Sequence, residues 1–190
     1  MGPSMLSEVE KTLILPIPVN NLDNDRKVLA SYIANRLMKQ LSFTKACEDG
    51  YFLAVTKLIR IGRGENNKFC PHFVNFPVSC YCRTFKPADG EIMTGIVHKI
   101  NNMGVFLKSG PMNIVYLAAR FMPNYSYVPG ENPVYMREDL SKIEIGVVVR
   151  YMVFAVRWIE DKWREFRVLA TIDDDGLGPV ALNGLDELDL

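Results

Sequence analysis

Residues 91–171 hold no helical stretch, only short apolar segments set apart by Gly, Asn and Pro turns. Five of these segments read as strands, at 91–100, 104–109, 113–117, 145–158 and 166–171. Five short strands without an intervening long helix predict a small closed barrel. The segment in front, Phe85-Lys86-Pro87-Ala88-Asp89-Gly90, carries the Pro and Gly that a domain boundary needs, so the chain divides near Pro87 into domains 1–87 and 88–190. A length of 190 residues suffices for two such cores.

The first domain reads differently. Lys11-Thr12-Leu13-Ile14-Leu15 is strand-like, and Pro16 and Pro18 limit it to a short or edge strand. Asn20 to Asn24 offer capping side chains, and Val28, Leu29, Tyr32, Ile33, Leu37 and Leu41 recur at helical intervals, predicting one amphipathic helix over 25–41. Residues 51–61 are β-rich and end in Ile61-Gly62-Arg63-Gly64, a turn whose glycines permit positive φ. Residues 73–85 form a second strand pair or one long bent strand, with Pro77 at an edge or bend. The expected class is α+β, a small sheet packed on one helix followed by a barrel.

Composition excludes several classes. With 48% hydrophobic and 23% charged residues, neither a disordered tail nor a fibrous repeat dominates. The richest apolar stretch, 143–158, is broken by Glu144, Arg150 and Arg157, so no membrane helix is expected. The acidic, Pro-containing N-terminus does not resemble a secretory signal, which predicts an intracellular protein. Cys47, Cys70, Cys80 and Cys82 lack the two-residue spacing by which thiolates share a metal, and they read as reduced structural residues. Net charge is zero, yet residues up to Pro87 carry 12 Lys and Arg against 7 Asp and Glu, and the remainder 10 against 15. Any nucleic-acid contact by the second domain must therefore come from a local face.

The chemistry for such a face lies in Gly95-Ile96-Val97-His98-Lys99-Ile100, the turn at Asn101, and Gly104-Val105-Phe106-Leu107. Val97, Ile100, Val105 and Leu107 are predicted to fill the barrel, with His98, Lys99 and Phe106 outward and Gly104 bending the strand at a corner. An outward aromatic lets a base stack for about 1–3 kcal/mol whatever the base. Phe106 and Tyr116 are the stacking candidates, beside His98 and Lys99, and Lys108 and Arg150 the phosphate candidates. The competing reading is that Phe106 and Tyr116 cover a core or meet a protein partner.

This opening hairpin resembles that of S1-type oligonucleotide-binding (OB) folds. Ser109-Gly110-Pro111-Met112, Phe121-Met122-Pro123, the Pro129 to Tyr135 segment, Gly146-Val147-Val148-Val149-Arg150 and Ala170-Thr171-Ile172-Asp173 then follow in order. Together with Ile61-Gly62-Arg63-Gly64 and Phe85-Lys86-Pro87, they resemble the seventh, or stalk, subunit of eukaryotic and archaeal DNA-directed RNA polymerases. The pattern is most similar to the plant polymerase IV and V forms, and the 140–150 segment with the acidic C-terminus leans toward polymerase V. Gly176 replaces the family's usual aromatic, and the N-terminus is longer.

The resemblance implies a truncated ribonucleoprotein-like (RNP-like) domain that docks on the polymerase core, with Ile61, Gly62, Arg63 and Gly64 as the tip loop reaching its largest subunits near the clamp. It further implies an S1/OB barrel near emerging single-stranded RNA, a fourth-subunit-type stalk partner, a nuclear location and no cofactor. Catalysis is not expected. Asp173-Asp174-Asp175 lacks the alternate spacing that converges on a cation, His72 and His98 have no paired nucleophile, and no Gly-Lys-Ser/Thr follows Gly64. A free S1-domain RNA-binding adaptor and a scaffold whose barrel meets only protein are the alternatives.

Overall fold

A computed structural model describes residues 5–24, 27–160 and 164–180. The chain forms two compact units, Met1–Lys86 and Pro87–Leu190. No helix among the described residues is long and apolar enough to cross a membrane.

In the first unit, β1 (Leu6–Pro18) precedes α1 (Ala30–Thr44), β2 (Ala46–Cys47), β3 (Gly50–Ile61), β4 (Glu65–Asn66) and β5 (Phe73–Phe85). The sheet order is β1-β5-β3-β2, antiparallel, with β4 also paired to β5. Strand β5 is one long strand rather than a pair. Its alternate residues Val74, Phe76, Val78, Cys80 and Cys82 are buried in one cluster with Leu15 and Ile17 of β1 and with Ile33, Leu37 and Leu41 of α1. The Cys80 and Cys82 thiols share a hydrogen bond at 3.6 Å between sulfurs and form no disulfide. Burial pushes the Cys82 thiol up to about 12.

Two expectations change here. Strand β1 is an edge strand, as its prolines require, but it pairs with β5 along all 13 residues instead of stopping short. The Val19 amide bonds the His72 carbonyl, so odd-numbered amides face β5 and the nitrogens of Pro16 and Pro18 face the open edge, where no ladder bond is lost. Helix α1 starts at Ala30 rather than 25 and runs on to Thr44. The Asp23 carboxylate accepts the Lys27 amide at 2.6 Å, closing a loop, and Leu29 at the N-cap supplies no side-chain bond. Loss of a cap costs about 1 kcal/mol. Burying three side chains of the size of Ile33, Leu37 and Leu41 contributes about 1.5–3 kcal/mol each, so packing outweighs the missing cap.

In the second unit, β6 (Ile92–Asn101), β7 (Gly104–Ser109) and β8 (Met112–Ala118) form a meander. Then come β9 (Tyr125–Val128), β10 (Val134–Arg137), β11 (Lys142–Ile143), β12 (Val148–Ile159), β13 (Glu165–Thr171) and β14 (Gly178–Pro179). The path β13-β8-β7-β6-β12 closes because β12 also pairs with β13, giving a five-strand barrel. The β8–β13 pairing is parallel, and the other barrel pairings are antiparallel. Val97, Val105, Leu107, Val115, Leu117, Val149, Tyr151, Val153 and Ala170 are at most 1% exposed and form its interior. The fold is thus α+β, with one helix on a sheet and an OB-type barrel.

Strand β12 begins at Val148 instead of 145, because Gly146 turns with φ 91° and Ile145 is exposed. The small β9-β10-β11 sheet, not anticipated from sequence, occupies the Pro-rich interval between β8 and β12. It buries Tyr135, whose hydroxyl donates to the Asn101 carbonyl at 2.9 Å.

Candidate nucleic-acid interface

An irregularity in β6 shapes the outer face of β6, β7 and β8. Strict alternation would send His98 and Lys99 to opposite sides, yet a bulge between Val97 and Lys99 inserts an extra residue into β6. Val97 and Ile100 both remain buried, while His98 and Lys99 stay on the outer side. Lys99 then stands opposite Phe106 on β7, and Phe106 opposite Tyr116 on β8. The Phe106 and Tyr116 rings lie 5.0 Å apart at 33°, the Lys99 ammonium is 5.7 Å from the Phe106 centroid, and the His98 ring is 6.5 Å from it. The result is an aromatic platform with a cation at its margin.

Several bonds hold the platform. The Asn101 side-chain oxygen accepts the Met103 and Gly104 amides at 2.9 and 3.1 Å, and the Tyr116 hydroxyl donates to the Met103 carbonyl at 2.7 Å. Tyr135 fixes the same turn through the Asn101 carbonyl. Gly104 is required by close approach as well as by bending, since a Cβ there would meet the Leu117 carbonyl oxygen at 2.4 Å and the Tyr116 ring at 3.0 Å.

His98 is half-buried, and its Nε2 is buried with no partner among the described residues. Burial, and then the nearby Lys108 charge, push its pKa below the usual imidazole value. Lys108 is exposed beside this cluster. Arg150 is not brought to it. It is exposed on β12 opposite Thr94, four residues along β6 from His98, or about 13 Å by strand rise.

In the first unit, Ile61, Gly62, Arg63 and Gly64 line a cleft of about 530 Å³ together with Lys27, Val28, Asn66, Val74 and Phe76. Neither glycine uses the positive φ that it permits. Both are demanded by contact: a Cβ on Gly62 would sit 2.6 Å from the Pro77 ring, and one on Gly64 2.7 Å from Val74 and Phe76. The Gly62 amide bonds the Pro77 carbonyl at 2.7 Å, so the tip loop is braced on β5.

Asp173, Asp174 and Asp175 are exposed and shape a turn, in which the Asp173 amide bonds the Thr171 hydroxyl and the Asp175 amide the Asp174 carboxylate. Among the described residues no group of three or more His, Cys, Asp or Glu side chains is placed to hold a metal ion.

Both units are matched in known proteins. The chain is 39% identical over 178 residues to DNA-directed RNA polymerase V subunit 7 of Arabidopsis thaliana, covering 93% of this chain and 99% of that one. The chain belongs to the seventh-subunit family of DNA-directed RNA polymerases. It is 40% identical to polymerase IV subunit 7 of the same plant over 92% of its own length and 99% of that relative's. Against polymerase II subunit RPB7 of Glycine max, the identity is 32% over 80% of this chain and 85% of the other. No family model matches the chain. Within this seventh-subunit chain, sequence reading missed Tyr135 as the brace under the β6–β7 turn. A Tyr closing the Pro129 to Tyr135 motif was the available signal, but its partner lies 34 residues away.

Proposed function

We propose that this chain is a non-catalytic stalk subunit of a nuclear DNA-directed RNA polymerase, of the plant polymerase V or IV type that acts in RNA-directed silencing. The observation that carries the reading is the extent of the similarity. Relatives named as subunit 7 of polymerases V and IV align over 92–93% of this chain and 99% of their own lengths, across both units. A free adaptor that shared only the S1-type barrel would not need the first unit.

The first unit docks on the polymerase core, with Ile61, Gly62, Arg63 and Gly64 at the contact, and a fourth-subunit-type chain completes the stalk. The braced loop and the cleft beside it, rimmed by Lys27 and Arg63 over Val28, Val74 and Phe76, suit a protein contact. The barrel meets emerging single-stranded RNA through His98, Lys99, Phe106, Tyr116 and Lys108. Stacking on Phe106 and Tyr116 accepts any base, so no strong sequence preference follows. Arg150 stands apart from that platform and is left as a contact to a more distant phosphate. Co-expression with a fourth-subunit-type chain tests the pairing. A one-to-one complex on size exclusion that survives moderate salt is the expected result, and two separately eluting chains would refute it.

A further inference from the structure

The outer barrel face does not end at Tyr116. Parallel pairing of β8 with β13 sets Leu169 beside Tyr116, so the apolar row that begins with the Phe106 and Tyr116 rings continues onto β13 with an aliphatic side chain. One level along the strands, a second row runs beside it. Lys108 of β7 is exposed level with Asn113 and Ile114 of β8, and Arg167 lies two residues before Leu169 on β13. Arg157 of β12 stands directly opposite Arg167. All three cations are exposed. From strand spacing and rise, Arg167 lies about 8 Å from Tyr116.

Two like charges directly opposite one another across an antiparallel pair destabilise the sheet that carries them. Glu165 meets Arg167 only through Nε, at 3.5 Å, and among the described residues no carboxylate pairs with Arg157. The arrangement is unfavourable for the free barrel and favourable once an anion lies between the guanidinium groups.

We infer that Arg157 and Arg167, with Lys108, form a phosphate track for single-stranded RNA, carrying the sugar-phosphate backbone past the β12–β13 hairpin while bases stack on the Phe106–Tyr116–Leu169 row. This rests on the RNA reading of the barrel face and names its backbone contacts. It replaces Arg150, which the fold sets apart from the platform, as the principal phosphate group.

The test is fluorescence anisotropy of the full chain with a labelled uridine dodecamer across about 50–200 mM salt. Arg157→Gln/Arg167→Gln is compared with wild type and with Phe106→Ala. Loss of two phosphate contacts lowers the slope of log affinity against log salt by about 1.4. It also weakens binding on the order of tenfold at the low-salt end. Arg157→Gln alone gives about half of that decrease. The double variant melts at or a few degrees above the wild-type temperature without RNA, because the opposed charges are gone. Wild-type slope and affinity in the double variant, with Phe106→Ala still weakened, would overturn the track and leave the stacking face. A drop in melting temperature would contradict the opposed-charge geometry. No dodecamer binding by the wild type would overturn the track together with the RNA reading.

Discussion

Phe106 is the centre of the candidate face at the residue scale, because its half-buried ring neighbours Lys99, His98 and Tyr116 outside the barrel core. Phe106→Ala is expected to weaken single-strand binding by about 1–3 kcal/mol while leaving the unfolding midpoint nearly unchanged, read by anisotropy and urea titration. His98 predicts a pH dependence. Its folded pKa is depressed by burial and by Lys108, so the unfolded chain binds more protons once pH drops below the ordinary imidazole value of about 6.5. The contribution of neutral His98 is fully present above that value and is lost as pH falls through the folded pKa. Urea midpoints at neutral and mildly acidic pH are expected to diverge less in His98→Gln than in the wild type, and equal divergence would contradict the assignment. Gly104→Ala drives a methyl toward the Leu117 carbonyl at 2.4 Å, an overpacking cost of about 1–3 kcal/mol, measurable by denaturant titration.

Among the elements, α1 holds its place by packing rather than by its ends. Leu37→Ala, at a fully buried position, is expected to destabilise the first unit by about 2–5 kcal/mol in thermal or urea unfolding. Elements with strong local signals were legible. The alternating apolar residues of β5, the helical spacing of Ile33, Leu37 and Leu41, and the inward set Val97, Ile100, Val105 and Leu107 could all be read from neighbouring residues. The helix start was not, because Asp23 spends its carboxylate on the Lys27 amide and mimics a cap too early. Pro16 and Pro18 left a short or an edge strand open, and the full-length edge strand is the one formed. The β9-β10-β11 sheet and the Tyr135 brace were hidden because a four-residue strand leaves almost no period to detect. On the candidate face, local alternation located Phe106 and Tyr116. The neighbours supplied by β13 depend on a parallel pairing across more than 50 residues, which no local pattern encodes. For Arg150 the outward orientation was readable, but its position around the barrel, opposite Thr94 of β6, was not.

For the whole molecule, the proposed docking by one unit and RNA contact by the other should separate by mutation. Ile61→Asp with Arg63→Glu is expected to release polymerase core subunits while retaining the fourth-subunit-type partner, whereas Phe106→Ala should leave both associations intact, read by quantitative pull-down. Similarity to the polymerase V and IV subunits spans both units. The most direct test is affinity purification of the tagged full chain from nuclear extract, washed at moderate salt, with mass spectrometry of what remains bound. A fourth-subunit-type chain together with the largest and second-largest subunits of one polymerase is the predicted result, and the largest subunit's identity names that polymerase. Recovery of exonuclease or ribosomal components without polymerase subunits would contradict the account.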